Sequence, residues 1–453
     1  MTRKSYARGK EHPRHGRRPG DDVRHSEPSE VWSIEKVVPG GEGLARLESG
    51  EIGFAPGTLP GERARVVRSS AGRGYRRALR LEILEPAPGR VEPPCPLASV
   101  CGGCDLLHAD YPTQLRIKQQ ILKEALERTG RLSAPAELGI EPAPRPLGYR
   151  NRLRVHLGQD GSIGFHARGS HRIIDVRHCA VADPALATLL DTFRDVARAE
   201  PELAAWFEEA ELRIAPEPPR ELVRLARRRG ARADASASER VLARVRTRFA
   251  VSVVGAPDAL AQRFRHPDGG ALLVPPGAFV QVNWAVNTRI VAALVQGARD
   301  RAVASFLDLY AGAGNLGLAL LRAGLSGTLV ESVAVAADAA RQVVREEGLT
   351  GAEILAVDAL EAVERFVREA RRFELIVLDP PRAGAAELVG CVAELEPRAI
   401  AYVSCDPVTL ARDLRRLVDR GFVLEGIRGY DMFPGTHHFE TLAWLRRGEV
   451  PAR

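Results

Sequence analysis

The sequence predicts a multidomain α/β protein whose C-terminal part is a doubly wound parallel sheet. Two observations lead to this prediction. Near the start of the chain, short apolar runs alternate with turns rich in Gly and Pro, which is typical of a small β-barrel. From about residue 270, apolar strands alternate with helical segments, which is typical of a sheet covered by helices on both faces. The length of 453 residues allows about three domains.

Residues 1–30 are predicted to be a basic, disordered tail. Seven Lys and Arg side chains against the single acid Glu11 give residues 1–20 a charge of +6, out of +7 for the whole chain. Such a segment can bind nucleic acid by neutralising phosphates, or it can be a solvated tail. The start of the chain has no apolar stretch typical of a secretory signal, and no run of about 18 apolar residues predicts a membrane span. We therefore expect a cytoplasmic protein. Separately, we expect a monomer.

Residues 31–86 are predicted to form the small β-barrel. Its second half is rich in arginine, with Tyr75 among the basic residues. The arginines are Arg63, Arg65, Arg68, Arg73, Arg76, Arg77 and Arg80. A basic face that carries an aromatic side chain is typical of RNA-binding modules. The alternative is that these arginines only occupy the solvent-facing positions of alternating strands.

Residues 87–265 are predicted to form one α+β domain. It begins with a cysteine-containing loop and a helix of about 18 residues. A hairpin with its turn at Asp160-Gly161 follows, and then a helical stretch from about residue 183 to 209. The remainder, up to residue 265, reads as further α/β structure.

Residues 266–453 carry the repeated strand–helix units. The first strand, SFLDLY, is followed by Gly312-x-Gly314-x-x-Gly317 and then by a helix. Glycines at this position let a ligand approach the backbone, and the helix N-terminus offers free amide groups. The motif alone is weak, but the strand–loop–helix context is the right one for a nucleotide-like ligand.

Acidic residues follow three further strands, at the sheet edge where such folds bind ligands. Glu331 ends GTLVE, Asp358 follows EILAV, and Asp379 ends FELIVLD. Because no hydride-transfer partner is apparent, this set favours S-adenosylmethionine over a nicotinamide dinucleotide. Each acid taken singly could instead be a helix N-cap.

A cysteine at the end of an apolar strand is the sharpest feature of the C-terminal part. Cys405 ends AIAYVSC and is followed at once by Asp406-Pro407. Such a cysteine taken alone would more often be a packing residue. A second motif, DMFPGTHHFE, ends in Glu440, only 35 residues later.

YVSCDP, DPPR and DMFPGTHHFE, in this order, resemble the S-adenosylmethionine-dependent RNA 5-methyluridine methyltransferases. The resemblance extends over nearly all of residues 31–450. It implies an N-terminal TRAM-type RNA-binding barrel, a central domain and a Rossmann-like methyltransferase domain. It also implies that Cys405 is the nucleophile and Glu440 the general base.

The resemblance also implies which residues contact S-adenosylmethionine. These residues are Gln281, Tyr310, Asn315, Glu331, Asp358 and Asp379, with Phe279 near the cofactor. Tyr310 stands where relatives often have Phe, and Asp358 where some have Asn. Both replacements keep the stacking or hydrogen-bonding capacity.

Four other cysteines suggest a metal centre. Cys95-x5-Cys101-x2-Cys104 and the distant Cys179 offer four thiolates, which suit zinc or an iron–sulfur cluster. The spacing resembles that of the family subset that carries a [4Fe–4S] cluster and acts on large-subunit ribosomal RNA. Relatives that act on transfer RNA typically lack these cysteines. Cys391 lies on an apolar helical face and is predicted to be a core residue.

The predicted activity is methylation of the 5-position of a uridine in RNA, with 23S ribosomal RNA as the preferred substrate. A thiolate that adds to the sixth carbon of uracil makes the fifth carbon nucleophilic. A carboxylate in a dry pocket can then remove the proton left at that carbon. Two alternatives stay open: the same chemistry on transfer RNA or another RNA, and a non-enzymatic RNA-binding protein with an iron–sulfur cluster.

Overall fold

The computed structural model describes residues 30–230, 235–256 and 260–448. The predicted basic tail therefore lies, apart from Glu30, outside the described residues. Within the described ranges, no helix is long and apolar enough to cross a membrane. The mixed α/β, multisheet architecture that the sequence predicts is confirmed.

Residues 30–85 form a sheet of six strands in the order β1-β5-β6-β4-β3-β2. The strands β1 to β6 are Glu30–Ser33, Lys36–Val38, Glu42–Arg46, Ile52–Pro56, Arg63–Gly72 and Tyr75–Glu85. Buried and exposed residues alternate along β3 and β4, as expected for strands with one face on a core. That core is small and is centred on the fully buried Trp32.

The arginines of β5 and β6 divide into two groups. The first group forms ion pairs with glutamates on neighbouring strands: Arg63 with Glu85, Arg65 with Glu82, Arg76 with Glu30 and Arg77 with Glu42. The second group, Arg68, Arg73 and Arg80, is exposed and has no carboxylate partner among the described residues. This second group keeps its charge available to an external anion.

The middle of the chain contributes a second sheet and several helices. Helix α1 (Tyr111–Glu124) continues into a π-helical turn (Ala125–Gly130), and β7 (Ile140–Glu141) follows. The second sheet has the order β10-β9-β8-β11-β12-β13. Its strands β8 to β13 are Arg152–Leu157, Ile163–His166, Ile173–Asp175, Phe207–Ile214, Glu221–Arg227 and Ala250–Val253. Helices α2 (Pro184–Ala199), α3 (Leu203–Trp206) and α4 (Ala235–Arg246) belong to the same region.

The C-terminal part is built on an eight-stranded sheet in the order β18-β17-β16-β19-β20-β22-β21-β7. A hairpin precedes it, formed by β14 (Gln262–Arg265) and β15 (Ala271–Val274). The other strands, β16 to β22, are Ser305–Leu309, Ser326–Val330, Ala352–Leu355, Leu375–Leu378, Ala399–Ser404, Phe422–Tyr430 and Glu440–Arg447. Helices α5 to α10 are Trp284–Asp300, Gly317–Arg322, Ala334–Glu347, Ala359–Arg368, Leu388–Glu394 and Pro407–Val418.

Strands β16 to β20 are parallel, and the central ones are buried on both faces. Every residue of β19 (LIVL) and of β20 (AIAYVS) is buried, as expected for parallel strands covered by helices on both sides. Strand β22 then runs antiparallel to both β20 and β21. The carboxyl ends of the parallel strands and the start of β22 therefore meet at one edge of the sheet.

Residues far upstream complete this sheet. Strand β7 pairs in parallel with the end of β21, and α1 packs on the same core as α10. Lys118 of α1 is fully buried and forms an ion pair with Asp431, which is also fully buried. The Nζ atom of Lys118 also donates to the carbonyl oxygen of Phe433 at 3.0 Å. The first half of the chain is thus tied into the C-terminal core.

The buried ion pair leads to a stability prediction. We expect Lys118→Ala to lower the free energy of unfolding by about 3–5 kcal/mol, because the Asp431 carboxylate would be left buried without its cation. Lys123→Ala on the same helix is the matched control. The Lys123 side chain is 51% exposed, and its single ion pair within the described ranges is with Glu127, so its loss should change the free energy by less than about 0.5 kcal/mol. Urea denaturation followed by circular dichroism measures both, and equal small losses would contradict the prediction.

Candidate active site

Strand pairing brings the two predicted catalytic residues face to face. The register of β20 with β22 sets Ser404 opposite Thr441. Cys405 directly follows, and Glu440 directly precedes, this last pair, and the two groups are close enough for the Glu440 carboxyl to raise the pKa of the Cys405 thiol. The thiol and the carboxyl group therefore meet at one edge of the sheet. Glu440 is 3% exposed, and its Oε2 atom has no hydrogen-bond partner among the described residues.

The turn after Cys405 is fixed by a helix cap. The Asp406 side chain accepts hydrogen bonds from the backbone amides of Val408 at 3.0 Å and Thr409 at 2.8 Å. Pro407 occupies the first position of α10, where a missing N–H group costs nothing. The sequence Asp-Pro after the cysteine therefore stops the strand and starts a helix, which holds Cys405 at the sheet edge.

The site is dry and rich in acidic groups. Burial, and then the Glu440 carboxyl group, raises the pKa of the Cys405 thiol to about 12, while the Arg382 guanidinium opposes this shift. Burial, and then Asp379, raises the pKa of Glu440 well above its usual range. Burial raises the pKa of Asp379 to about 7. In the free site the Cys405 thiol is therefore protonated at neutral pH.

Arg382 is the cation that faces these acids. It follows Pro381 in the turn after β19, and its Nη2 atom lies 3.4 Å from Nε2 of His438. Burial, and then the neighbouring His437, lowers the pKa of His438 to about 4, so this imidazole is neutral at pH 7. A neutral imidazole leaves the positive charge of the site on Arg382.

The loop before Glu440 is held by polar contacts from the first half of the chain. Besides the Lys118–Asp431 pair, the Tyr149 hydroxyl donates to the Pro434 carbonyl oxygen at 3.0 Å. The Gln114 side-chain oxygen accepts from the Gly435 amide at 2.7 Å, and this bond is buried. These contacts fix the path of residues 431–439.

The cysteine-rich loop contacts the same segment directly. The amides of Asp105 and Leu106 donate to the Gly435 carbonyl oxygen at 3.1 Å and 2.9 Å. In return, Oδ1 of Asp105 accepts from the His437 amide at 2.8 Å, and Oδ2 lies 2.6 Å from Nδ1 of His437. We call this set of four contacts the Asp105 latch. It joins the residue after Cys104 to the segment that ends in Glu440.

The glycine loop lies beside the same sheet edge. Gly312 and Gly314 have φ angles of +58° and +91°, which favour glycine. Glu331 stabilises the loop, since its Oε2 accepts from the Gly312 amide at 2.8 Å and its Oε1 from the Val333 amide at 2.7 Å. Asp308 was not among the residues predicted from the sequence, and its buried Oδ2 accepts from the Gly317 amide at 2.9 Å. An acid inside the apolar strand SFLDL was the available signal.

The other residues that are predicted to contact the methyl donor differ in burial and in their hydrogen bonds. Asn315 exchanges two side-chain hydrogen bonds with Asn287, at 2.8 Å and 2.9 Å. Gln281 is buried, and its Oε1 has no partner among the described residues. Tyr310 is half-buried with a φ angle of +64°. Phe279 is 59% exposed beneath the Arg152 guanidinium.

Asp358 has a visible structural role. Its Oδ1 caps α8 by accepting from the amides of Leu360 at 2.8 Å and Glu361 at 3.4 Å. This is the N-cap alternative that the sequence left open. A contact with the methyl donor stays a prediction for Asp358, as it does for the other residues of this set.

The four cysteines of the predicted metal centre line one cavity of about 580 Å³. They come from the loop before α1 and from the segment after β10. Arg150 lines the same cavity, and its buried Nε has no hydrogen-bond partner among the described residues. Within the described ranges, no three His, Cys, Asp or Glu side chains form a group that could hold a single metal ion.

The Rossmann-like sheet, the glycine loop and the paired thiol and carboxyl group together define a class, the methyltransferases that use S-adenosylmethionine. Comparison with known proteins narrows this class. The family model of the tRNA (uracil-5-)-methyltransferases matches residues 274–448. The chain is 34% identical to the 23S rRNA (uracil(1939)-C(5))-methyltransferase RlmD of Edwardsiella ictaluri over 422 residues, which cover 89% of this chain and 92% of that protein.

A second relative carries the same name. RlmD of Pseudomonas putida is 34% identical over 444 residues, covering 92% of this chain and 93% of its own. The crystal structure of the Pyrococcus abyssi tRNA (uracil-54, C5)-methyltransferase with S-adenosyl-L-homocysteine has the same fold, with a TM-score of 0.69 at 24% identity, covering 92% of this chain and all of that one. This chain belongs to the S-adenosylmethionine-dependent RNA uracil-5 methyltransferases. The family and enzyme class predicted from the sequence are confirmed.

The pKa of Cys405 leads to a prediction about its reactivity. A thiol with a pKa of about 12 gains thiolate roughly tenfold per pH unit throughout the range from 7 to 9. We therefore expect the rate of Cys405 alkylation by iodoacetamide, in the free enzyme, to rise about tenfold per unit with no plateau. Mass spectrometry of the peptide 399–412, which contains Cys405 as its only cysteine, measures this rate. Glutathione is the control thiol, and a plateau below pH 9 at Cys405 would contradict the prediction.

Proposed function

We propose that this enzyme methylates the 5-position of a uridine in 23S ribosomal RNA. The observation that carries the proposal is the β20–β22 register, which brings Cys405 and Glu440 to one edge of the sheet, beside a glycine loop suited to the methyl donor. The substrate is supported by the relatives of about one-third identity that are named as 23S rRNA uracil-C5 methyltransferases. S-adenosylmethionine is the second substrate and supplies the methyl group.

The proposed chemistry begins at Cys405. Its thiolate adds to the sixth carbon of uracil, and the ring electrons move to give an enolate with a nucleophilic fifth carbon. That carbon attacks the methyl group of the sulfonium, and S-adenosylhomocysteine leaves. The Glu440 carboxylate takes the proton from the fifth carbon, the double bond re-forms, and the thiolate leaves the sixth carbon.

The electrostatics of the site suit Glu440 as the base and Cys405 as the nucleophile. A carboxylate whose pKa is raised by burial is a stronger base than one in water, which suits proton removal from carbon. The thiol, in contrast, is protonated in the free site, so it must ionise after the substrates bind. The positive charges of the sulfonium and of Arg382 favour that ionisation. We propose that Arg382 and Asp379 also hold the polar edge of the uracil ring.

We propose that the residues predicted from the sequence bind the methyl donor. The set is Gln281, Tyr310, Asn315, Glu331, Asp358 and Asp379. Support comes from the unpartnered side-chain oxygen of buried Gln281, which leaves an acceptor available. Further support comes from Glu331, which lies at the end of the second strand next to the glycine loop.

We propose that Cys95, Cys101, Cys104 and Cys179 hold a [4Fe–4S] cluster. The shared cavity of about 580 Å³ is roomy for a single ion, and a four-iron cube holds its thiolates further apart than tetrahedral zinc does. The unpartnered Nε of Arg150 would offset the negative charge of such a cluster. Through the Asp105 latch, the cluster would stiffen the segment that carries Glu440.

RNA is the proposed partner of the N-terminal sheet. We propose a TRAM-like module at residues 31–86, a central domain at 87–265 and a methyltransferase domain at 266–453, in a cytoplasmic monomer. Support for RNA binding comes from the exposed Arg68, Arg73 and Arg80, which have no carboxylate partner among the described residues, and from Tyr75, which is 44% exposed. Cations and an aromatic surface suit phosphates and bases.

Substitution at the two catalytic positions tests the proposed chemistry. Cys405→Ala should abolish transfer of labelled methyl groups from S-adenosylmethionine to a 23S RNA transcript. Glu440→Gln should lower turnover by at least about a hundredfold and accumulate an RNA–protein adduct that survives denaturing gels, because elimination needs the base. Cys391→Ala is the matched control and should keep full activity.

The choice of RNA is tested in the same assay. The enzyme should produce 5-methyluridine in the 23S transcript and none in unmodified transfer RNA. Retained activity of Cys405→Ala would contradict the mechanism, whereas methylation of transfer RNA alone would contradict only the substrate.

The cluster has its own test, in protein purified without oxygen. We expect about four iron atoms per chain and a broad absorbance near ~400 nm. Cys179→Ser should lose both signals, whereas Cys391→Ser should keep them. Zinc without iron in the wild-type protein would contradict the assignment.

A further inference from the structure

A polar cavity, distinct from the one lined by the four cysteines, lies at the edge of the methyltransferase sheet opposite the active site. It has a volume of about 780 Å³ and is bounded by the turn of the β14–β15 hairpin and by helices α5, α6 and α7. Arg322 at the end of α6 and Glu347 at the end of α7 line it. Because these helices start at the ligand-binding edge and run back, their last residues lie at the opposite edge. The cavity is therefore separate from the site of Cys405.

His266 is a buried polar side chain without a partner in this cavity. It is 4% exposed, yet neither ring nitrogen has a hydrogen-bond partner among the described residues. Its ring is fixed against Trp284, with 5.0 Å between the ring centroids. Buried polar groups are nearly always hydrogen-bonded, so two unpaired nitrogens on one imidazole point to a missing partner.

Arg322 offers a second unpaired donor. Its Nε donates to Oε2 of Glu347 at 2.7 Å, and its Nη2 donates to Oε1 of Glu347 and to the Ala271 carbonyl oxygen. Its Nη1 is buried and has no partner among the described residues. Gly270 allows this geometry, since a Cβ atom there would lie 2.1 Å from the guanidinium carbon. The arginine is thus held in place with one donor free.

The charges around the cavity favour an anion. The two acids that line it are both engaged: Glu347 by Arg322, and Asp268 by the Gly270 amide at 2.9 Å. Arg299, at the rim, is exposed and has no carboxylate partner among the described residues. The part of the lining that comes from α5 and α6 is mostly apolar, with Val291, Ala292, Val295, Ala319 and Ala323, and it also includes Thr288 and Gln296. The cationic part of the lining can therefore bind the charged group of a ligand, and the apolar part can bind the non-polar remainder of that ligand.

We propose that this cavity binds a small phosphate monoester with an apolar or planar body, with His266 and Arg322 on the phosphate oxygens. An arginine that keeps one fixed N–H group and a nearby imidazole match the acceptor-only oxygens of a phosphate. The volume of about 780 Å³ exceeds the needs of an inorganic ion, which is why the apolar part of the lining belongs to the site.

Calorimetry with simple probes tests this proposal. Phenyl phosphate should bind the intact wild-type protein saturably, and at least about tenfold more tightly than either inorganic phosphate or phenol. Arg322→Gln and His266→Phe should each weaken the binding of phenyl phosphate by about tenfold or more, since each removes donors to a charged group. Arg368→Gln, an exposed arginine on α8, is the matched control and should bind as the wild type does.

A second variant guards against loss of folding. Gly270→Ala keeps every donor but pushes the Arg322 guanidinium away, so it should weaken binding like Arg322→Gln. Its circular dichroism spectrum and its methylation of RNA should show that the fold is intact. No saturable binding, or unchanged affinity in all three cavity variants, would overturn the proposal. Equal competition by a uridine-free oligoadenylate would also overturn it, because the ligand would then be an RNA backbone phosphate. These outcomes do not depend on the activity of Cys405.

Discussion

The catalytic arrangement depends on one antiparallel pairing, the insertion of β22 between β20 and β21. Parallel strands alone would present Cys405 at the sheet edge, at the end of β20. The reversed direction of β22 brings its first residue, Glu440, to the same edge as the cysteine. Strand β22 is buried from Glu440 to Leu445 where it pairs with β20, so a packed core sets the positions of the proposed nucleophile and base.

The segment before Glu440 makes the enzyme depend on its first half. Residues 431–439 follow an irregular path, and several of their polar groups pair with Lys118, Tyr149, Gln114 and the Asp105 latch. None of these partners belongs to the C-terminal strands and helices. A methyltransferase sheet cut out by itself would leave buried polar groups of this segment without partners, at a cost of about 1–3 kcal/mol each. The proposed cluster, one residue from Asp105, would add rigidity at this junction.

Much of the C-terminal sheet was predictable from the sequence, because several independent local patterns indicate the same fold. Apolar strands, glycine turns and acids at strand ends all indicate the same layered fold, and Cys405 and Glu440 stand in recognisable motifs. The contribution of β7 was not predictable, since two residues carry no periodic signal and pair with β21, about 290 positions later. The partners of the Glu440 segment were missed for the same reason. Lys118 reads as an ordinary surface residue of an amphipathic helix until Asp431 is brought beside it.

The most direct test of the covalent mechanism uses RNA in which the target uridine is replaced by 5-fluorouridine. Fluorine leaves no proton for Glu440 to remove, so the methylated ring should stay bonded to the enzyme. Digestion and mass spectrometry should then find the peptide 399–412 carrying a methylated fluorouracil nucleotide on Cys405. Attachment to any other cysteine, or normal methylation of uridine RNA with no trapped adduct on the fluorinated RNA, would contradict the roles assigned to Cys405 and Glu440.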